Sequence, residues 1–105
     1  VKIRLDWGTG LFYGLRVMNL YKITQSEKEG YDTYDSAVVC APSPKVARSI
    51  HPSHGGYLPN LEQWKPGEYW YEYWASSPES VSVKFIGKAA RGMKQGVVMA
   101  SFNAG

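Results

Sequence analysis

Ser36-Ala-Val-Val-Cys-Ala-Pro-Ser-Pro-Lys-Val-Ala-Arg-Ser-Ile-His-Pro52 decides the fold. The apolar run Ala37 to Ala41 reads as a strand buried on both faces. Pro42-Ser43-Pro44 stops it. Ser43 has the chemistry of a helix N-cap, and Pro44 fits the first helical position, where a missing N–H costs nothing. Val46, Ala47 and Ile50 share one helical face, with Lys45, Arg48 and Ser49 off it. Pro52 pushes His51 out of the α region and limits the helix. The stretch therefore predicts a strand, a tight corner and a short helix folded back over the strand.

Upstream, Asn19 to Thr24 reads as a strand, with Tyr21 and Ile23 on one side and Leu20 and Lys22 on the other. Gln25 to Asp35 is a polar, acidic loop around Gly30. Asp32 and Asp35 are candidate ligands for a hard cation, but the calcium-loop pattern is missing its late Glu, and solvated loop charges are the preferred reading. Downstream, Ser80 to Ala90 is a strand in which Val81, Val83 and Phe85 alternate with Ser82 and Lys84. A basic, glycine-flanked connection then leads to a last strand, Val97 to Phe102. Lys88, Arg91 and Lys94 in this region suit a phosphate or an acidic partner, against the plainer reading of a solvated hairpin tip. The order strand, strand, helix, aromatic insert, strand, strand predicts a small two-layer α+β domain: an antiparallel sheet of about four strands covered by one helix. Val39, Ile50, Val83, Phe85 and Val98 are its expected core.

Val1 to Val17 fits this plan poorly. Ile3, Leu5 and Trp7 alternate as an added strand would, and the competing reading is an extension upstream of a natural start at Met18, which we prefer. Gly8-x-Gly10 lacks the third glycine, the helix and the acidic residue of a dinucleotide site.

The 105 residues suffice for a single domain with one core, and an apolar content of 44% is ordinary for a globular chain. One cysteine, Cys40, excludes an internal disulfide. With no secretory signal or membrane-length apolar run read in the sequence, a soluble cytoplasmic protein is expected. The net charge of +3 is segmented: −3 over Ile23 to Asp35, −3 over Tyr57 to Ser80 and +4 over Val81 to Gly105. Nucleic-acid binders mix aromatics with Lys and Arg. Here the aromatic cluster lies in an acidic block, which disfavours a polyanion track.

That cluster, Tyr57 to Pro78, carries the densest chemistry. Glu68 to Ala75 reads as a strand with Tyr69, Tyr71 and Tyr73 on one face and Trp70, Glu72 and Trp74 on the other. Either one row caps the core while the other stacks on the Trp64 loop, or the aromatics form a binding surface; the two readings weigh evenly. Just before the cluster, His51 and His54 have a spacing that can serve a transition metal, but Cys40 sits inside a strand and no third ligand is evident. Neither a metal nor a cofactor is expected. Gly55-Gly56 would permit a close backbone approach. The candidate site is where this loop meets the aromatic strand: Arg48 for phosphate-binding charge with Lys45 beside it, His51 and His54 for imidazoles, and Tyr57, Trp70 and Trp74 for flat faces.

Catalytic readings are weaker. Gly-x-Ser-x-Gly is absent. Cys40 with His51 or His54 is a conceivable thiol pair, but a cysteine in an apolar strand is usually inert. Glu68 and Glu72 are a conceivable carboxylate pair. A binding protein is expected, and a small hydrolase using the His51/His54 loop is the alternative.

Met18-Asn-Leu-Tyr-Lys-Ile, Tyr31-Asp-Thr-Tyr-Asp-Ser-Ala-Val-Val-Cys-Ala, Ala47-Arg-Ser-Ile-His-Pro, Trp74-Ala-Ser-Ser-Pro, Val83-Lys-Phe-Ile-Gly-Lys-Ala and Gly96-Val-Val-Met-Ala-Ser-Phe-Asn-Ala-Gly together resemble a family of small accessory proteins of tailed phages and prophages. The resemblance runs from Met18 to Gly105. It implies a counter-defence role in the host cytoplasm. The partner it implies is a host defence protein to be blocked, or a nucleotide-derived signal molecule to be sequestered. Homo-oligomerisation stays open.

Overall fold

The computed structural model describes residues 17–104. The alternation of Ile3, Leu5 and Trp7 lies outside the described residues, and so does nearly all of the proposed upstream extension. The fold is the small α+β domain that the sequence predicts. Strands β1 (Asn19–Thr24), β2 (Thr33–Ala41), β5 (Ser82–Lys88) and β6 (Gly96–Asn103) form one antiparallel sheet in the order β5-β1-β2-β6. Between β2 and β5 come helix α1 (Pro44–Arg48), a two-stranded ribbon of β3 (Ile50–His51) and β4 (Gly56–Tyr57), and three short 3-10 turns.

The pleat separates the two faces of the sheet. Tyr21 lies opposite Val39, Ile23 opposite Ala37 and Asn19 opposite Ala41. Tyr21, Ile23, Ala37, Val39 and Ala41 are buried, and the core over this face is completed by Ala47, Ile50, Leu58, Trp64, Trp70, Trp74, Ala75 and Val81. The covering layer is therefore only partly helical. Three tryptophans supply much of the volume that a five-residue helix cannot. α1 begins as its sequence dictates: Ser43 is extended, its hydroxyl accepts from the Val46 N–H at 3.3 Å, and Pro44 follows.

Four expectations are corrected. The helix ends at Arg48 with Ser49 as its C-cap, so Ile50 and His51 form a strand rather than a last helical turn. Tyr69–Tyr73 is a 3-10 helix, not a strand. No neighbouring strand among the described residues offers it a ladder, and the local Tyr71 N–H to Glu68 C=O bond of 3.0 Å closes the backbone instead. Phe85 and Val98 are exposed, at 57% and 45%, and Val83 is half-buried, whereas Val39 and Ile50 are fully buried. Phe85 and Val98 lie on the two edge strands, and Val98 is the residue skipped where β6 shifts register against β2. Finally, Gly55-Gly56 brings no backbone close to a neighbour: a Cβ at either residue would meet open space. Gly55 is instead required by its φ of +94°, which turns β3 into β4 while its N–H donates to the His51 carbonyl at 2.8 Å.

Candidate binding cleft

The His51–Tyr57 ribbon and the aromatic insert do meet. The His51 ring lies 4.9 Å from Trp64 and 4.7 Å from Trp70, and the His54 ring lies 5.1 Å from Trp70. The two histidines differ sharply in exposure. His51 is wholly buried, whereas His54 faces solvent. The His54 backbone N–H donates to His51 Nδ1 at 3.2 Å, which assigns the remaining ring proton to Nε2. Nε2 is buried without a partner. Burial, then the charges of His54 and Lys28, push the His51 pKa down to about 3, so the ring is neutral at physiological pH.

Trp74 is also fully buried, with its indole N–H unpartnered. It is a core residue and presents no face to a ligand. Trp70 is nearly as buried, at 9% exposure. Arg48 is committed elsewhere: its guanidinium donates to the Val81 carbonyl at 2.6 Å, tying α1 to the start of β5. Tyr57 is exposed on β4. Of the six predicted site residues, only His54 and Trp70 line the cleft that the structure forms here.

That cleft has a volume of about 310 Å³ and is open to solvent. Leu58 and Trp70 give it apolar wall, and His54, Glu62, Gln63, Lys65 and Glu68 supply its polar groups. Local chemistry holds it. The Trp64 indole N–H donates to the Leu58 carbonyl at 2.9 Å, fixing the loop behind it. The Gln63 side chain accepts from the Asn60 N–H at 3.0 Å, and the Gln63 N–H returns to the Asn60 carbonyl at 2.9 Å. Asn60-x-x-Gln63 is a readable helix-start signature that points to this turn. Glu62 and Glu68 carry no such signal, since their approach depends on the path of the intervening turn at Pro66-Gly67.

A second set of contacts pins the insert to the acidic loop. Lys28 Nζ donates to the Tyr71 carbonyl at 2.7 Å and lies 3.9 Å over the Tyr71 ring centroid. Gln25 braces that loop by donating to the Lys28 and Tyr34 carbonyls at 2.7 and 2.9 Å. A Glu27 carboxylate oxygen accepts from the Ser76 N–H at 3.1 Å. Hydrogen bonding from the Ser76 hydroxyl, with smaller contributions from the Ser76 N–H, Ser80 and Lys28, holds the Glu27 carboxyl below the usual carboxylate range. The loop charges thus lock the aromatic insert onto the domain. No spacing in the sequence marks these long-range partners.

The thiol and metal readings lack a geometry. Cys40 is buried, burial pushes its thiol pKa up, and it alternates with Val39 and Ala41, whose side chains enter the core that His51 joins. Among the described residues no group of three or more His, Cys, Asp or Glu side chains is placed to hold a metal ion. No helix of the described residues is long and apolar enough to cross a membrane. No protein-family model, curated protein or solved structure matches the chain, so what the cleft can do follows from its own lining.

Proposed function

We propose that the protein is a stoichiometric binding protein. It takes a basic side chain of a partner protein into the cleft of Leu58, Trp70, Glu62 and Glu68. The observation that carries this reading is the lining: two carboxylates and one lysine around an apolar wall. An arginine or lysine can lay its methylenes along the exposed edge of Trp70, over the floor that Leu58 closes, and set its charge by Glu62 and Glu68. A phosphate is served poorly, because the lining holds one lysine and no arginine against two carboxylates, and Arg48 is bonded to Val81. This favours blocking a protein over sequestering a nucleotide signal. The likeness to phage accessory proteins would make that partner a host defence protein.

Calorimetric titration with acetyl-arginine amide and, separately, with AMP tests the reading. The arginine amide should bind in the millimolar range, as a single anchor side chain does, and Glu62→Gln/Glu68→Gln should weaken it about 10-fold. Preferential binding of AMP would overturn it in favour of a nucleotide sink. Recovery of AMP as a converted product would favour the small hydrolase.

A further inference from the structure

We propose that two copies of the chain pair antiparallel through the outer edge of β6, joining their sheets into one of eight strands. The two edges of the sheet are built differently. β5 carries Lys84 and Lys88, charges on an edge strand that discourage pairing. β6 runs Gly96-Val-Val-Met-Ala-Ser-Phe-Asn103 with neither a charge nor a proline. Among the described residues no strand pairs with its outer edge. Val98, Met99 and Phe102 are exposed along it at 45%, 64% and 44%. An uncharged edge of eight residues is a template for a further strand.

Charge selects a second copy as the occupant. The connection leading into β6 is basic, with Arg91 and Lys94. The far end of β6 lies beside the acidic loop: Asn103 pairs with Thr33, accepts from the Asp32 N–H, and donates from its side-chain amide to the Gly30 carbonyl at 2.6 Å. Glu29, Asp32 and Asp35 therefore lie toward one end of β6, and Arg91 and Lys94 lead into the other. A two-fold axis between Met99 and Ala100 sets Gly96 opposite Asn103 of the other copy. It brings each basic turn to the other copy's acidic loop, twice by symmetry. Parallel pairing would set like charges together. The bulged Val98 shortens the regular ladder, so the dimer is a weak one.

Sedimentation equilibrium of the full chain from 5 to 500 µM (roughly the range in which small interfaces form) tests the proposal. The expected result is a monomer–dimer equilibrium that weakens with salt. Ala100→Lys, at an exposed β6 position, should weaken it at least 10-fold with an unchanged circular dichroism spectrum. Lys94→Glu and Glu29→Lys should each weaken it several-fold, and the double variant should restore it, because each reversed charge meets its reversed partner across the axis. Both loop sites are exposed, so these variants stay informative if Ala100→Lys fails to fold. A monomer at every concentration would overturn the proposal. So would a dimer indifferent to Ala100→Lys, or one that the double charge reversal does not restore.

Discussion

Lowering the pH should destabilise this protein through His51 before its carboxylates titrate. His51 is fully buried between Trp64 and Trp70, and its pKa falls from 6.5 to about 3 on folding. Above pH 6.5 the ring is neutral in both states and contributes nothing to the pH dependence. Below 6.5 the unfolded chain takes up a proton that the folded chain refuses, so stability falls as the pH falls, and it keeps falling until about pH 3. The limiting slope for one proton is about 1.4 kcal/mol per pH unit. By pH 5 the loss is about 2 kcal/mol, a large share of the stability of a small domain. Glu27 acts in a separate window: its depressed carboxyl stabilises the fold above its unfolded value of 4.5, and that contribution disappears as the pH falls below it. Urea unfolding at half-unit steps from pH 8 to pH 5 reads the His51 slope directly. His51→Phe keeps an aromatic ring against both tryptophans and removes the titration, so its slope between pH 6.5 and pH 5 should drop by about one proton. A wild-type profile flat from pH 7 to pH 5, or an unchanged slope in His51→Phe, would refute the burial of a neutral imidazole.

The two halves of the aromatic insert should separate by stability. Trp74→Ala removes a fully buried indole and should cost about 3–5 kcal/mol, whereas Tyr69→Ala, at 78% exposure, should change the urea midpoint little; equal effects would contradict the packing. Lys28→Ala removes the hydrogen bond to the Tyr71 carbonyl and the cation over the Tyr71 ring and should cost about 1–3 kcal/mol, with faster amide exchange across Tyr69–Tyr73. Unchanged exchange there would show that the acidic loop does not hold the insert.

The elements that position the cleft were legible in proportion to how local their causes are. The β2–α1 corner depends on Ser43 and Pro44, residues adjacent to the backbone they control, and it forms as read. The burial of Tyr21 and Ile23 follows from a period of two and a single core face. The Tyr69–Tyr73 segment has the same alternation, but its conformation depends on whether a neighbouring strand exists, which the segment's own residues do not encode. Burial of Trp70 and Trp74 follows from the area left uncovered by a short helix, a property of the whole layer. For the same reason the Trp70 and Trp74 faces, which the sequence leaves evenly between core and binding surface, went inward, and the polar lining of the cleft came from Glu62, Gln63, Lys65 and Glu68 on the turns around them. Arg48 illustrates the limit: its charge was legible, but the Val81 carbonyl that occupies it lies 33 residues away in the chain.

The central claim, that the cleft beside Trp70 takes a cationic side chain, is tested most directly by following side-chain resonances during titration with acetyl-arginine amide. The Leu58 methyl and Trp70 ring signals should shift together, saturate on one binding curve, and stop responding in Glu62→Gln/Glu68→Gln. Shifts centred on β6 or on Arg48, with Leu58 and Trp70 silent, would contradict it.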